Sequence, residues 1–383
     1  MSREFMIPKK IITGENSLKN AIPYIISMGK KPLIVTGKIV VTLDCFKSLT
    51  TELENNGCSY AVFSGITDEP TDIMINEGLS IYKNNGCDFL IGIGGGSPLD
   101  AIKAIAVMEK CGGQLCDYMG KEITGNFSPM VAIPTTAGTG SEATKFTVIT
   151  DSKSNVKMLL KGESLIPDIA IIDSQNTKTS PRSITASTGL DALTHAVEAY
   201  TSKMAQPLTD IFAVSAVKRI FKYLPLAYEN GENAAARYEM SLAALEAGIC
   251  INNSSVTIVH GMSRPIGALF HVPHGLSNAM LLEKCMTFAK DGALTKFASL
   301  ARAIGVADEN EDDETAADRF TKALGELCKS CGVPSVLEYG IDKDEFISAV
   351  PKMAHDAILS GSPGNTIKDV TKEDIVKIYK SLV

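Results

Sequence analysis

The feature that most constrains the fold is a regular alternation of short apolar runs and helix-like segments in the first half of the chain. Apolar runs rich in valine, isoleucine or leucine occur at residues 32–36, 59–63, 88–93, 131–133 and 168–172. Segments with helical spacing follow the first three of them, at residues 44–56, 71–85 and 97–110. This alternation predicts right-handed β-α-β units and hence a parallel sheet. Residues 147–160 break the rhythm and predict a β-hairpin at the edge of that sheet.

The second half of the chain has a different pattern, because the strand-like runs stop near residue 180. Long segments rich in alanine, leucine and methionine follow, at residues 188–201, 207–227, 234–252, 294–303, 315–331, 343–359 and 372–382. Apolar residues recur at helical spacing in each of them. We therefore predict two domains, an α/β domain over residues 1–180 and an all-α domain over residues 181–383.

Composition excludes several classes of function. The 383 residues carry a net charge of −7 and no basic cluster, so nucleic acid is not an expected partner. No stretch reaches the roughly 20 consecutive apolar residues of a membrane helix, so no membrane association is expected. The nine cysteines are scattered and odd in number, which does not indicate a disulfide framework. Together with a start that lacks the apolar core of a signal peptide, this predicts a cytoplasmic protein.

Two loops rich in small residues follow predicted strands. The first contains Gly94, Gly95, Gly96 and Ser97 and opens a helix, where exposed backbone N–H groups and the helix dipole favour a phosphate group. It does not match the G-x-G-x-x-G pattern, so a standard Rossmann fingerprint is not present. The second loop contains Thr135, Thr136 and Thr139 among glycines, and its hydroxyls can hydrogen-bond phosphate or ribose. Two such loops at strand ends of one sheet predict a nucleotide site.

A candidate metal site lies in the helical half. Asp191 and His195 are four residues apart, which places a carboxylate and an imidazole on one helix face. The chain has only five histidines, and both His260 and His274 are followed by a glycine that permits close approach to a ligand. One acidic residue with three histidines is a donor set for a divalent metal ion. Each histidine taken alone is better explained as a hydrogen-bonded core or surface residue, and it is the four residues together that favour a metal site.

These motifs together resemble the iron-containing (group III) alcohol dehydrogenases over nearly the whole chain. The similarity rests on four segments in the same order, at residues 94–100, 134–142, 181–198 and 259–275. It implies an N-terminal dinucleotide-binding domain and a C-terminal helical metal-binding domain, the architecture shared with dehydroquinate synthase, with the active site between them. It also implies Asp191, His195, His260 and His274 as ligands of Fe²⁺, with Zn²⁺ as an alternative. Asp100 and Lys157 would be further cofactor contacts, and a homodimer is the expected assembly.

Two positions depart from the family pattern. Arg264 stands where many relatives have a histidine close to the nicotinamide, and a permanent cation cannot relay a proton. The proton acceptor is then open, with His271 or an ordered water as candidates, while Arg264 is suited to an anionic substrate group. At the end of the first long strand Gly37 replaces the aspartate of NAD-preferring members, and Lys38 follows it. This pair favours NADP over NAD.

The sequence thus predicts a metal-dependent, NAD(P)-linked alcohol dehydrogenase or aldehyde reductase that acts on a small primary alcohol or aldehyde. The main alternative is a glycerol dehydrogenase-like or dehydroquinate synthase-like enzyme of the same fold, with an anionic substrate held by Arg264. A non-catalytic nucleotide-binding protein is a second alternative, which a complete set of metal ligands disfavours.

Overall fold

The computed structural model describes residues 2–67, 69–154 and 156–383, and these form two compact units. The first unit comprises residues 6–179, and the second comprises residues 180–383 with the residues that precede Met6. The strands are β1 (Lys10–Thr13), β2 (Pro32–Val35), β3 (Ala61–Phe63), β4 (Phe89–Gly94), β5 (Met130–Pro134), β6 (Phe146–Asp151), β7 (Val156–Lys161) and β8 (Ile169–Ile172). The helices of this first unit are α1 (Ser17–Ile26), α2 (Asp44–Asn55), α3 (Asp72–Asn84) and α4 (Gly96–Cys111).

The first unit is built on a parallel sheet of six strands in the order β1-β8-β5-β4-β2-β3. Successive side chains of a strand point to opposite faces, so a sheet covered by helices on both faces needs strands that are apolar throughout. In β2 the side chains of Leu33 and Val35 pack into one core cluster and Ile34 into the other, and all three are buried. This explains why the runs of the first half are continuous rather than alternating.

The predicted hairpin forms, but it does not join the sheet. Strands β6 and β7 pair antiparallel as a separate two-stranded sheet, so the expected position at the sheet edge is wrong. One face of the hairpin places Ile149, Met158 and Leu160 in the same core cluster as residues of α3 and α4. The apolar side chains on that face are buried without a further strand, and the hairpin therefore covers helices instead of extending the sheet.

The second unit is all-helical over its described residues, which confirms the predicted α/β half followed by a helical half. Its helices are α5 (Arg182–Tyr200), α6 (Pro207–Glu229), α7 (Ala234–Asn253), α8 (Ile258–Phe270), α9 (His274–Ala289), α10 (Leu294–Ala303), α11 (Asp313–Ser330), α12 (Lys343–Leu359) and α13 (Lys372–Lys380). Two of these, α8 and α9, do not follow from the sequence pattern, although they carry two of the histidines. Over the described residues, no single helix is long and apolar enough to span a membrane, and only the bent pair α7 and α8 meets the length and composition criteria jointly.

Candidate metal centre and nucleotide loops

Helix α5 carries the first two predicted metal ligands and is buried on nearly all sides from Gly189 to Tyr200. Its start is fixed by Arg237, whose guanidinium donates hydrogen bonds to Ser180 O and to Thr185 Oγ1. Within this buried helix Asp191 and His195 lie one turn apart and are both buried. A carboxylate in such a position needs a positively charged or hydrogen-bonding partner, because burial of an unpaired charge is unfavourable.

The backbone at the start of α9 packs directly against the backbone of α5. A Cβ atom on Gly275 would lie 2.2 Å from Ser187 O and 3.2 Å from Asp191 Cβ, so only glycine fits between the helices. The preceding residue, His274, is thereby placed beside Asp191. The glycine after the histidine, which the sequence suggested as a site of ligand approach, is therefore required by helix packing. Helix packing also requires Gly261, the residue after His260, because a Cβ atom on this glycine would lie 2.6 Å from the ring of Pro363.

The four predicted metal ligands come together around one carboxylate oxygen. Asp191 Oδ1 lies 3.8 Å from His195 Nε2 and 3.7 Å from both His260 Nε2 and His274 Nε2. The donor atoms of Asp191, His195 and His260 all lie within 4.8 Å of one another. In a tetrahedral site with bonds of about 2.1 Å, neighbouring donors are about 3.4 Å apart. The observed separations are close to that value, so these residues fit a divalent cation.

Two further residues, which the sequence did not assign, hold the histidines and the carboxylate in place. Glu198 is fully buried one turn after His195, and its Oε2 lies 2.5 Å from His260 Nδ1. A proton on Nδ1 leaves the lone pair of Nε2 directed at Asp191. Asn278, also fully buried, donates from Nδ2 to Asp191 Oδ1 at 2.7 Å. Glu198 lies seven residues after Asp191, and Asn278 lies four after His274, so each shares a helix face with a predicted ligand, but this spacing alone does not indicate burial.

The electrostatics of the cluster favour a bound cation. Burial raises the pKa of Asp191, but the imidazoles of His195, His274 and His260 outweigh burial and hold that pKa far below its usual range. Burial lowers the pKa of the His260 imidazole, yet the carboxylates of Glu198 and Asp191 outweigh it and raise that pKa to about 9. Burial raises the pKa of Glu198, but His260 outweighs it and lowers that pKa. The carboxylates of Asp191 and Glu198 therefore both stay ionised although they are buried, and the imidazoles compensate their charge.

The other two predicted catalytic residues lie outside this donor set. Arg264 is one helical turn after His260 on α8, is partly buried, and has no ion-pair or hydrogen-bond partner within residues 2–67, 69–154 and 156–383. His271 ends α8 in a left-handed backbone conformation with φ 54°, and its side chain is exposed. Among the described residues, its one hydrogen bond is made by the backbone carbonyl, which accepts from the Tyr339 hydroxyl. The structure therefore does not place His271 among the metal-ligand donors.

The two predicted nucleotide loops lie side by side in the first unit, after the neighbouring strands β4 and β5. The Thr135 N–H donates to Gly94 O at 2.8 Å. A Cβ on Gly95 would lie 3.6 Å from Thr136 Oγ1, and one on Gly96 would lie 2.8 Å from Thr139 Cγ2. Helix α4 starts at Gly96, so its free N–H groups open beside the threonine hydroxyls. This juxtaposition is an anion-binding arrangement.

A buried polar network below these loops engages Asp100. Its carboxylate accepts hydrogen bonds from Ser141 Oγ and from the Val148 N–H, and lies 3.9 Å from Lys103 Nζ. Lys103 is fully buried and donates to Ser141 Oγ at 3.0 Å, to Thr144 Oγ1 at 3.1 Å and to Phe146 O at 2.7 Å. The predicted cofactor contact Asp100 is thus engaged with protein groups. The network connects α4 with the segment after the second loop.

The three remaining predicted cofactor residues lie apart from that network. Lys157 of β7 forms an ion pair with Glu69 at 2.6 Å. Gly37 and the exposed Lys38 follow β2, which pairs with β4, so they lie at the same sheet edge as the glycine loop. A Cβ on Gly37 would lie 2.8 Å from Ile66 O. Glycine is therefore required sterically there, and an aspartate would displace the neighbouring backbone.

Comparison with known proteins gives the same assignment over both halves. Models described as iron-containing alcohol dehydrogenase and as the C-terminal part of the Fe-containing alcohol dehydrogenase family match residues 8–174 and 185–383. The chain is 35% identical to an NAD-dependent methanol dehydrogenase of Bacillus methanolicus, covering 98% of this chain and 99% of that protein. A solved 1,3-propanediol oxidoreductase superposes with a TM-score of 0.97 at 31% identity over 100% of both chains. A sulfoacetaldehyde reductase from Bifidobacterium kashiwanohense, solved with NAD+, gives 0.90 at 28% identity, over 100% of this chain and 99% of that one. The chain therefore belongs to the iron-containing alcohol dehydrogenase family.

Proposed function

We propose that the protein is a metal-dependent, NAD(P)-linked alcohol dehydrogenase that also works as an aldehyde reductase, transferring hydride between a nicotinamide and a small primary alcohol or aldehyde. The observation that carries this proposal is the ring of three imidazole Nε2 atoms around Asp191 Oδ1. Family membership supports it, since the matched relatives are named for reactions of methanol, propanediol and sulfoacetaldehyde.

Asp191, His195, His260 and His274 would hold the cation, Fe²⁺ by family and Zn²⁺ by donor chemistry. When bound, such an ion acts as a Lewis acid on an alcohol or carbonyl oxygen. Glu198 keeps the proton of His260 on Nδ1, so that the lone pair of Nε2 remains available to a metal ion. His271 is the proposed group for proton exchange with solvent, because its side chain is exposed and does not belong to the predicted metal ligands.

The first unit would bind the dinucleotide at the edge where β2, β4 and β5 end. Backbone N–H groups at the start of α4, the Ser97 hydroxyl and the threonines of the second loop would hold the phosphates. Lys157 is a proposed contact that would have to leave its pairing with Glu69. We assign Asp100 the role of positioning the second loop, since its carboxylate is already engaged by Ser141 and Val148.

The function is tested by reconstitution. Protein stripped of metal should be inactive, and added Fe²⁺ or Zn²⁺ should restore aldehyde-dependent loss of absorbance at the reduced nicotinamide band. One bound metal ion per chain is expected, because the described donors form one cluster. Nucleotide binding should survive metal removal, since its proposed site lies in the other unit. Absence of turnover with every aldehyde and both nicotinamides, despite bound metal and nucleotide, would contradict the proposal and favour a lyase of the same fold.

We further propose that the enzyme prefers NADP(H). Gly37 places no carboxylate near the ribose, and the exposed Lys38 is available to a 2′-phosphate. Lys38→Ala should lower the ratio of kcat/KM for NADPH over NADH by about 10-fold, while Lys19→Ala, an exposed lysine of α1, should not change it. Gly37→Asp is not a clean test, because its side chain would meet Ile66 O. An unchanged ratio in Lys38→Ala would refute this assignment.

The assembly and compartment are proposals as well. Strand β1 is the last strand of the sheet and pairs only with β8 among the described strands, so its outer edge is available to a second copy. We propose a homodimer on this basis, to be checked by light scattering of the eluted protein. All nine cysteines are free thiols, which supports a reducing compartment such as the cytoplasm.

A further inference from the structure

Arg264 is a partly buried cation of the second unit, and the proposed reaction assigns it no role. It lies on α8 one turn after His260, so both side chains project from the same face of the helix. None of the ion pairs or hydrogen bonds of the described residues includes its guanidinium, although the side chain is partly buried. The other partly buried arginines of this unit have such partners, since Arg219 pairs with Glu239 and Glu246, and Arg302 pairs with Asp313.

The neighbouring acidic groups do not compensate this charge. Burial lowers the pKa of the Arg264 guanidinium. The carboxylate of Glu198 opposes this shift, because it favours the charged form. Its oxygens are occupied by His260 Nδ1, the Thr257 hydroxyl and the Val259 N–H. Asp191 is surrounded by imidazoles. A divalent cation would be neutralised by these two carboxylates, and the charge of Arg264 would then remain uncompensated.

We propose that Arg264 binds an acidic group of the substrate, so that the preferred substrates are short aldehydes and alcohols that carry a carboxylate or sulfonate. A guanidinium binds either group through two parallel N–H···O bonds, and such charged hydrogen bonds are about twice as strong as neutral ones. The spacing of one helical turn from His260 places the acidic group a few bonds from the reacting carbon. This inference rests on the proposed dehydrogenase function and specifies its substrate class.

The test compares aldehydes of matched length. Succinate semialdehyde is paired with butanal, and sulfoacetaldehyde with propanal, using metal-loaded enzyme and the preferred nicotinamide. The wild type should show higher kcat/KM for the acidic member of at least one pair. Arg264→Gln should reduce the acidic-to-neutral ratio by about 10- to 100-fold, and Arg264→Lys by less, because lysine keeps the charge but loses the two-point contact. The two pairs distinguish a carboxylate site from a sulfonate site.

A control and a binding measurement keep the outcome decisive. Arg182→Gln removes an exposed arginine from the first turn of α5, and we expect the wild-type ratio in this variant. Titration calorimetry with 3-hydroxypropanoate and with 1-propanol should show measurable binding of the acid only, lost in Arg264→Gln. A wild type that prefers the neutral aldehydes, or equal losses on both members of a pair, overturns the inference while the dehydrogenase function stands. Absence of turnover with all four aldehydes and of binding by the acid would overturn both.

Discussion

The His260→Ala variant is expected to lose bound metal and to lose turnover by about three orders of magnitude. One of four donors disappears, and Lewis-acid stabilisation of the reacting oxygen is worth several kcal/mol, with 1.36 kcal/mol for each factor of ten. Nucleotide binding should remain, since its proposed loops belong to the other unit. Metal analysis, steady-state kinetics and nucleotide titration of the same preparation measure the three quantities.

Loss of His260 also removes the partner of a buried carboxylate, so the fold could fail for a reason unrelated to the metal. His260→Asn is the matched variant, because its Nδ2 lies at the position of the histidine Nδ1 and can still donate to Glu198, while the amide is a poor metal ligand. His355→Ala, which changes an exposed histidine of α12, should behave as the wild type. A folded His260→Asn protein that keeps metal and turns over a good substrate at near the wild-type rate would refute the ligand assignment.

The Lys103→Met variant is expected to destabilise the first unit by about 3–5 kcal/mol and to weaken nucleotide binding. Removing one partner of a buried ion pair leaves an uncompensated charge, here on Asp100 and the buried Glu142. The same change removes the hydrogen bonds that connect α4 to Ser141, Thr144 and Phe146. Urea unfolding and nucleotide titration are the measurements, with Lys110→Met at the exposed end of α4 as control. Stability within about 1 kcal/mol of the wild type would show that this network contributes little.

The difference in the free energy of unfolding between the wild type and Lys103→Met should depend on pH, and its sign follows from the pKa of Lys103. Burial lowers the pKa of Lys103 from 10.5 to about 8, although Asp100 and Glu142 oppose the shift. Between these values the unfolded chain retains a proton that the folded chain has released. The free energy of unfolding of the wild type therefore rises with pH relative to Lys103→Met over this window. A difference that shrinks between pH 8 and 10 would contradict the assignment of the shift to Lys103.

Much of the first unit could be predicted because strands β2, β4, β5 and β8 are buried on both faces and its helices α2, α3 and α4 end at turns that need glycine. The runs at residues 32–36 and 88–93 correspond to β2 and β4 within one residue at each end. The position of the hairpin could not be predicted, since alternation in β6 and β7 shows that one face is buried but not what covers it. Packing of that face against α3 and α4 is a tertiary property.

The residues of the cluster around Asp191 were predictable from the sequence, but the residues that support it were not. Asp191 and His195 follow from helical spacing, whereas α8 and α9 were missed because α8 contains Gly261 and Pro265 and both helices have few alanines and leucines in their first turns. Glu198 and Asn278 have residue types that usually lie at surfaces, so no single-sequence pattern indicates that they are buried. Their roles depend on which side chains the other helices bring near them.

The donor set is shielded unevenly, and this has a consequence for what any preparation of the protein contains. The His274 side chain is 41% exposed, while those of Asp191, His195 and His260 are 4–7% exposed. His274 would therefore be the donor most accessible to the medium when an ion is held by these four residues. Because such a donor set would bind zinc at least as strongly as ferrous iron, the ion found after purification would depend on the history of the sample. Anaerobic handling and the metal supply during growth then decide which ion is assayed.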